Sequence, residues 1–299
     1  MDIRGTRAFR TGSAILKELL FPRRCPVCDR PVLRTLARPD ALICPACERQ
    51  LVRARGAVCG KCGKLLDAKN TAATAGQTDA SGAWKQAWQA ANALSEGTKP
   101  AVGMKPAARG MQAVRLCGDC ATIRHAFSRG GAAFTWHSAH DAIYRFKYKG
   151  RREYADFFAA EMAGVLRERF AGETFDLLVP VPLSAERMRS RGYNQALLLA
   201  EGVGAASGIP VGRDALRRVK ATLPMKDLSP ESRRRNMKNA FHAYRNDVKS
   251  KKIMLVDDIY TTGATIDACA EAILAAGAVK VCFLTAAIGE QPAEGRLDQ

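Results

Sequence analysis

The chain has 299 residues, 47% hydrophobic and 25% charged, enough for one sizeable core with a satellite module or for two modest domains. No apolar run approaches the roughly 20 residues a membrane-spanning helix needs, which excludes an integral helical membrane protein. With 47 Lys and Arg against 29 Asp and Glu, the net charge of +18 attracts polyanions, small phosphate esters and nucleic acids alike.

At the N-terminus Arg4, Arg7 and Arg10 precede the apolar stretch Ala14–Phe21. Lys17 and Glu18 interrupt that stretch, and no small-residue cleavage site follows before Arg23 and Cys25, so it does not read as an export signal. Residues 1–24 are expected to form an amphipathic helix, over Thr11–Phe21, in a cytosolic protein. Eight of the ten cysteines then fall in four Cys-x-x-Cys pairs: Cys25/Cys28, Cys44/Cys47, Cys59/Cys62 and Cys117/Cys120. Two such pairs place four thiolates at roughly 2.3 Å from one zinc ion. Proline or glycine follows the first cysteine of each pair (CPVC, CPAC, CGKC, CGDC), which suits a tight metal knuckle. A thioredoxin-like redox pair is the rival, but that chemistry uses one pair in a βαβ setting rather than four in series. The reading is a double zinc ribbon over residues 25–126 holding two structural zinc ions, with short strands around Val32–Leu36 and Ala41–Ile43. Within it Ala68–Ala113, rich in Ala, Gly, Thr, Gln and Lys, is expected to be a disordered insert. Trp84 and Trp88, four apart, mark either a docking helix or an ill-packed helical stretch. Cys269 and Cys282 stand alone in apolar surroundings and read as core residues.

From Phe127 the pattern becomes α/β. Strands are predicted at Ala132–Trp136, Phe175–Val181, Leu216–Val219, Phe241–Tyr244, Ile253–Val256 and Val279–Ala286. Helices are predicted at Ser138–Tyr148, Glu153–Phe170, Asn194–Ala206 and Thr265–Ala276. Short apolar strands alternating with helices imply a mainly parallel sheet covered on both faces, over residues 127–289, with a flexible tail at 290–299.

The segment Ile253–Thr265 carries the clearest chemistry. Four apolar residues form a central strand, Asp257 and Asp258 stand at its carboxyl end, and Thr261-Thr262-Gly263-Ala264-Thr265 leads into a helix. Ligands of parallel sheets bind beyond the carboxyl ends of strands, and a helix N-terminus offers free N–H groups to a phosphate. An ordinary Thr or Asp N-cap would not account for two adjacent acids before a hydroxyl loop. This pattern resembles the 5-phosphoribosyl-pyrophosphate (PRPP) signature of the type I phosphoribosyltransferases. The resemblance implies that Asp257 and Asp258 hold the ribose hydroxyls, that Thr261–Thr265 cradle the 5′-phosphate, and that Mg²⁺ binds with PRPP.

Val179-Pro180-Val181-Pro182-Leu183, then Arg187 and Arg191-Gly192-Tyr193-Asn194-Gln195, resembles the ComF/GntX group, as do the four cysteine pairs, Lys147–Arg152 and Leu228-Ser229…Arg233…Asn236…Ala240-Phe241. In that group Val181, Pro182 and Leu183 take the place of the pyrophosphate loop. Arg187 and Arg191 would meet pyrophosphate or else form a salt-bridged surface, Lys220–Arg235 would be a mobile flap, and Asn194 and Gln195 cap and start a helix. The insert departs from the group, and Met225 stands where a glutamine is expected. Thr261 occupies the place of an aspartate that serves the base as proton acceptor in some purine phosphoribosyltransferases, which argues against 6-oxopurine salvage. The ribbon, with four thiolates per ion, would brace the fold or bind a partner. The resemblance implies a phosphoribosyltransferase-like protein linked to DNA uptake or nucleotide metabolism, releasing pyrophosphate from PRPP. Its alternative is a non-enzymatic competence factor that binds single-stranded DNA and DNA-uptake or recombination proteins, with PRPP as a ligand only.

Overall fold

A computed structural model of the chain describes residues 22–32, 38, 40–66, 115–219 and 239–289. The helix expected at 11–21, all but Val32 of the strand expected at Val32–Leu36, the insert with Trp84 and Trp88, the stretch Lys220–Arg235 with Met225, Leu228, Ser229 and Arg233, Asn236, and the tail at 290–299 lie outside the described residues.

Two short helices, α1 (Pro45–Glu48) and α2 (Gly118–Thr122), belong to the cysteine knuckles. There follow β1 (Gly130–Thr135), α3 (Trp136–Tyr148), α4 (Tyr154–Arg169), β2 (Leu177–Pro180), α5 (Ala185–Arg191) and α6 (Gln195–Ser207). The chain continues through β3 (Leu216–Arg218), β4 (Phe241–Ala243), α7 (Arg245–Val248), β5 (Lys252–Tyr260), α8 (Ala264–Ala275) and β6 (Lys280–Ile288).

Strands β1, β6, β5 and β2 lie in that order in one parallel sheet, with Val179 opposite Leu255 and Leu255 opposite Phe283. Ile253, Met254, Leu255 and Val256 are all fully buried, as a strand covered on both faces requires. Alternation divides the core. Met254, Val256, Cys282 and Leu284 join the cluster made with α3, α4 and α6, whereas Ile253, Leu255, Val281 and Phe283 join that made with α8, β4 and the second cysteine module. Cys269 and Cys282 are core residues, both fully buried.

Several boundaries differ from expectation. Strand β5 does not stop at Val256 but runs through both acids to Tyr260, because β6 is equally long and pairs with it as far as Ile288. Strands β3 and β4 form a separate antiparallel pair. Helix α5 was not anticipated; Ser184 caps its start by accepting from the Arg187 N–H, and Gly192, at φ 73°, ends it. Ala41–Ile43 is irregular: the Ala41 N–H turns back to the Arg38 carbonyl instead of pairing with a strand. No described helix is long and apolar enough to cross a membrane.

Candidate functional site

The two acids project from β5 at its carboxyl end, one residue apart and therefore on opposite sides of the strand. Asp258 is buried, and one of its carboxylate oxygens meets the Lys147 ammonium at 2.8 Å. The Asp258 N–H donates to Asp257 Oδ1 at 2.8 Å. Burial, and next the charge of Asp258, push the Asp257 carboxyl up to about 7, while Lys147 and Arg187 pull it back. Asp258 is thus paired with a lysine from α3, while Arg187 of α5 acts on Asp257 through its charge.

Thr261, Thr262 and Gly263 link β5 to α8, with Thr261 exposed and Thr262 and Thr265 half-buried. Gly263 is the N-cap at φ 84°, a left-handed conformation that glycine adopts without strain. A Cβ there would stand 2.7 Å from the Tyr260 hydroxyl oxygen and 3.1 Å from His125 Cε1. No side chain among the described residues caps α8, which leaves its first-turn N–H groups suited to an anion. Behind the loop His125 Nδ1 lies 2.7 Å from Asp267 Oδ2, and Asp267 Oδ1 accepts the Ala126 N–H at 2.9 Å. His125 stacks on Phe127, and Phe127 meets Tyr260 edge-on.

The loop after β2 runs alongside. The Val181 N–H donates to the Val256 carbonyl, Asn194 Nδ2 donates to the Val181 carbonyl at 3.1 Å, and Pro182 and Leu183 are half-buried. Asn194 also caps α6 by accepting the Ala196 N–H, and Gln195 begins that helix. Arg187 is exposed on α5 and its charge acts on Asp257. Arg191 instead donates to Gln195 Oε1 at 3.0 Å and to the Tyr148 hydroxyl at 3.1 Å, with its guanidinium over the Tyr148 ring.

The cysteines pair as the spacing predicts: Cys25, Cys28, Cys44 and Cys47 in one cluster, Cys59, Cys62, Cys117 and Cys120 in the other, with the sulfurs of each set within 4.8 Å of one another. Sulfur separations of 3.8 Å (Cys28 to Cys44) and 3.6 Å (Cys62 to Cys117) match the roughly 3.8 Å edge of a tetrahedron with zinc–sulfur bonds near 2.3 Å. Both donor sets fit closed, structural zinc. The oxygens of Asp257 and Asp258 are the hard donors that Mg²⁺ takes.

Each cluster packs against different elements of the domain. In the first, the Val27 carbonyl accepts from Arg145, and Asp29 accepts from both Arg151 and Tyr154. The basic run 145–152 is therefore not one field: Arg145 and Arg151 bind the ribbon, Arg152 binds the Gly192 carbonyl, and Lys147 binds Asp258. In the second cluster Cys59, Cys62 and Cys117 share a core with Phe127 and Tyr260, and Arg169 ties the Cys59 carbonyl to that of Gly130. The sequence singled out neither the Lys147 contact nor the His125–Asp267 pair. Lys147 lay inside a run of similar charges, and nothing local marks His125.

Residues 16–77 match the family described as a double zinc ribbon domain, a span that holds six of the eight ribbon cysteines. The chain is 39% identical over 94 residues to competence protein F of Haemophilus influenzae (31% of this chain, 41% of that one). It is 31% identical over 137 residues to competence protein ComFC of Bacillus subtilis (46% and 54%), and 36% identical over 106 residues to the DNA utilization protein YhgH of Escherichia coli K12 (36% and 46%). The chain thus spans about half the length of these curated relatives. Among solved structures it matches the allosteric regulatory enzyme of purine biosynthesis (21% identity, 46% of this chain, 25% of that one, TM-score 0.30). It also matches the purine phosphoribosyltransferase of Pyrococcus horikoshii (15%, 48% and 92%, TM-score 0.27). Two four-cysteine clusters thus stand beside a parallel α/β sheet whose central strand carries the acid pair and the Thr-Gly loop, and parts of the chain are similar to a double zinc ribbon domain and to competence and DNA utilization proteins.

Proposed function

We propose that the chain binds PRPP with Mg²⁺ in the cleft between the end of β5 and the loop after β2, as a ComF-type phosphoribosyltransferase acting in the cytosol. The observation that carries this reading is the juxtaposition of Asp257 and Asp258 with an uncapped α8 N-terminus across one three-residue loop. The acids suit the ribose hydroxyls, and Thr261, Thr262, Gly263, Ala264 and Thr265 suit the 5′-phosphate. Val181, Pro182 and Leu183 border the cleft where pyrophosphate would lie, and Arg187 supplies charge there. Arg191, already engaged by Tyr148 and Gln195, holds α5 against α3 and takes part less directly. Turnover would pass through an oxocarbenium-like state at the ribose C1, and cations beside the departing pyrophosphate stabilise charge as it develops. Calorimetric titration of Mg²⁺–PRPP into zinc-loaded protein tests the reading. Binding in the wild type and its loss in Asp257→Asn/Asp258→Asn is the expected result; equal binding by both would overturn it.

A second reading, a surface for single-stranded DNA in a DNA-uptake setting, is favoured by one feature of α3. Trp136, His140, Tyr144 and Tyr148 recur every four residues and touch ring to ring, at centroid distances of 4.8, 6.5 and 5.0 Å. Tyr144 and Tyr148 are 47% and 57% exposed, and Arg191 lies over the last ring. Rings beside cations are what unpaired bases and their phosphates stack on and pair with. The names of the relatives, competence and DNA utilization proteins, agree with this setting. Affinity for an oligothymidylate is expected to fall steeply with salt and to drop in Tyr144→Ala/Tyr148→Ala. A flat salt response would rule the surface out.

A further inference from the structure

The Lys147–Asp258 pair sits where the proposed function needs a free carboxylate. Lys147 lies in the last turn of α3, its side chain is 16% exposed and that of Asp258 11%, and the ammonium is 2.8 Å from the carboxylate oxygen. The backbone on both sides of Lys147 is anchored, because Arg145, Arg151 and Tyr154 all bind the first cysteine module. Lys147 reaches Asp258 on a flexible four-carbon stem, and an ammonium on such a stem can be handed between partners without moving the helix. While the ammonium holds Asp258, a divalent ion that sought the same oxygen would meet a like charge at contact distance.

We propose that Lys147 is a displaceable counter-ion of the acid pair. Without ligand it occupies Asp258 and keeps divalent ions off both carboxylates. When a phosphoribosyl diphosphate docks with its own Mg²⁺, the ammonium passes from Asp258 to the diphosphate, and the ribose hydroxyls take the released carboxylate. The metal therefore enters only with the ligand, carried by ligand oxygens. The inference rests on the PRPP reading for its second half, the transfer to diphosphate, and not for its first. Lys147 thus acts on Asp258 in the empty site and on the diphosphate in the filled one.

Two titrations on the zinc-loaded full chain test it. Mn²⁺ alone, followed by its electron-spin resonance signal, is expected to find no site at the acid pair of the wild type. In Lys147→Met it should gain one, with an affinity at least about tenfold above any Mn²⁺ binding by the wild type, which is lost again in Lys147→Met/Asp258→Asn. Mg²⁺–PRPP, followed by calorimetry, should move the opposite way and bind Lys147→Met about tenfold or more weakly, with Lys147→Arg close to wild type in both titrations. A purely structural lysine would not raise one affinity while lowering the other. Mn²⁺ affinity unchanged in Lys147→Met, or both affinities falling together, would overturn the proposal. Should Lys147→Met fail to fold, Lys147→Gln, which keeps a hydrogen bond to Asp258 without the charge, is read by the same pair of titrations. If PRPP fails to bind even the wild type, the ligand reading and the transfer step fall, and the Mn²⁺ titration still decides the counter-ion role by itself.

Discussion

Between its ordinary value of 3.8 and about 7 the carboxyl of Asp257 binds a proton in the folded chain that it gives up when unfolded. Stability from this group is therefore fully present below pH 3.8 and is lost as pH rises through 7, opposite in sign to a salt-bridged carboxylate. Asp257→Asn removes the titration while keeping the shape. Its melting temperature should gain on that of the wild type as pH goes from 5.5 to 7.5; parallel melting curves over that range would show that Asp257 titrates normally. The contiguous acids were legible in the sequence because strand, acids and loop lie within one segment. Lys147 and His125 were not, because each meets its partner only after the sheet has assembled; His125 and Asp267 are 142 residues apart. Replacing one partner of such a buried, charge-assisted pair strands the other, and His125→Ala is expected to cost about 1–3 kcal/mol in urea unfolding.

Among the elements, α4 and α6 approach so closely that a Cβ on Gly202 would stand 2.5 Å from Ala159 Cβ. Neither atom lies at the end of a flexible side chain, so the helices themselves must separate. Gly202→Ala should destabilise by about 1–3 kcal/mol and lower the urea midpoint, with zinc content unchanged; an unshifted midpoint would mean that the two helices are not held at this spacing. Helix periodicity was legible for α3, α4, α6 and α8 because each buries one apolar face. Helix α5 was not, since none of its residues is buried and only its caps, Ser184 and Gly192, betray it. The length of β5 escaped for a different reason. Its last residues are polar or ambiguous alone and become a strand through pairing with β6.

At the scale of the whole molecule, the cysteine modules support the elements of the proposed cleft. The first anchors the end of α3, where Lys147 lies, and the start of α4, and the second packs behind Tyr260, next to the Thr261–Gly263 loop. Metal analysis should find about two zinc ions per chain, and about one in Cys25→Ser/Cys28→Ser or in Cys59→Ser/Cys62→Ser. In amide exchange the first double variant should lose protection at residues 145–154 and the second at residues 260–267. The same pattern of loss in both would show that the supports are not separate. Because the two supports lie in series, the cleft obeys the logic of a conjunction. The fraction of chains with both walls braced is the product of two independent zinc occupancies, not their mean. As zinc becomes scarce, the intact site should disappear faster than the metal does, and the population should divide into chains with a loose acid pair and chains with a loose Thr261–Gly263 loop.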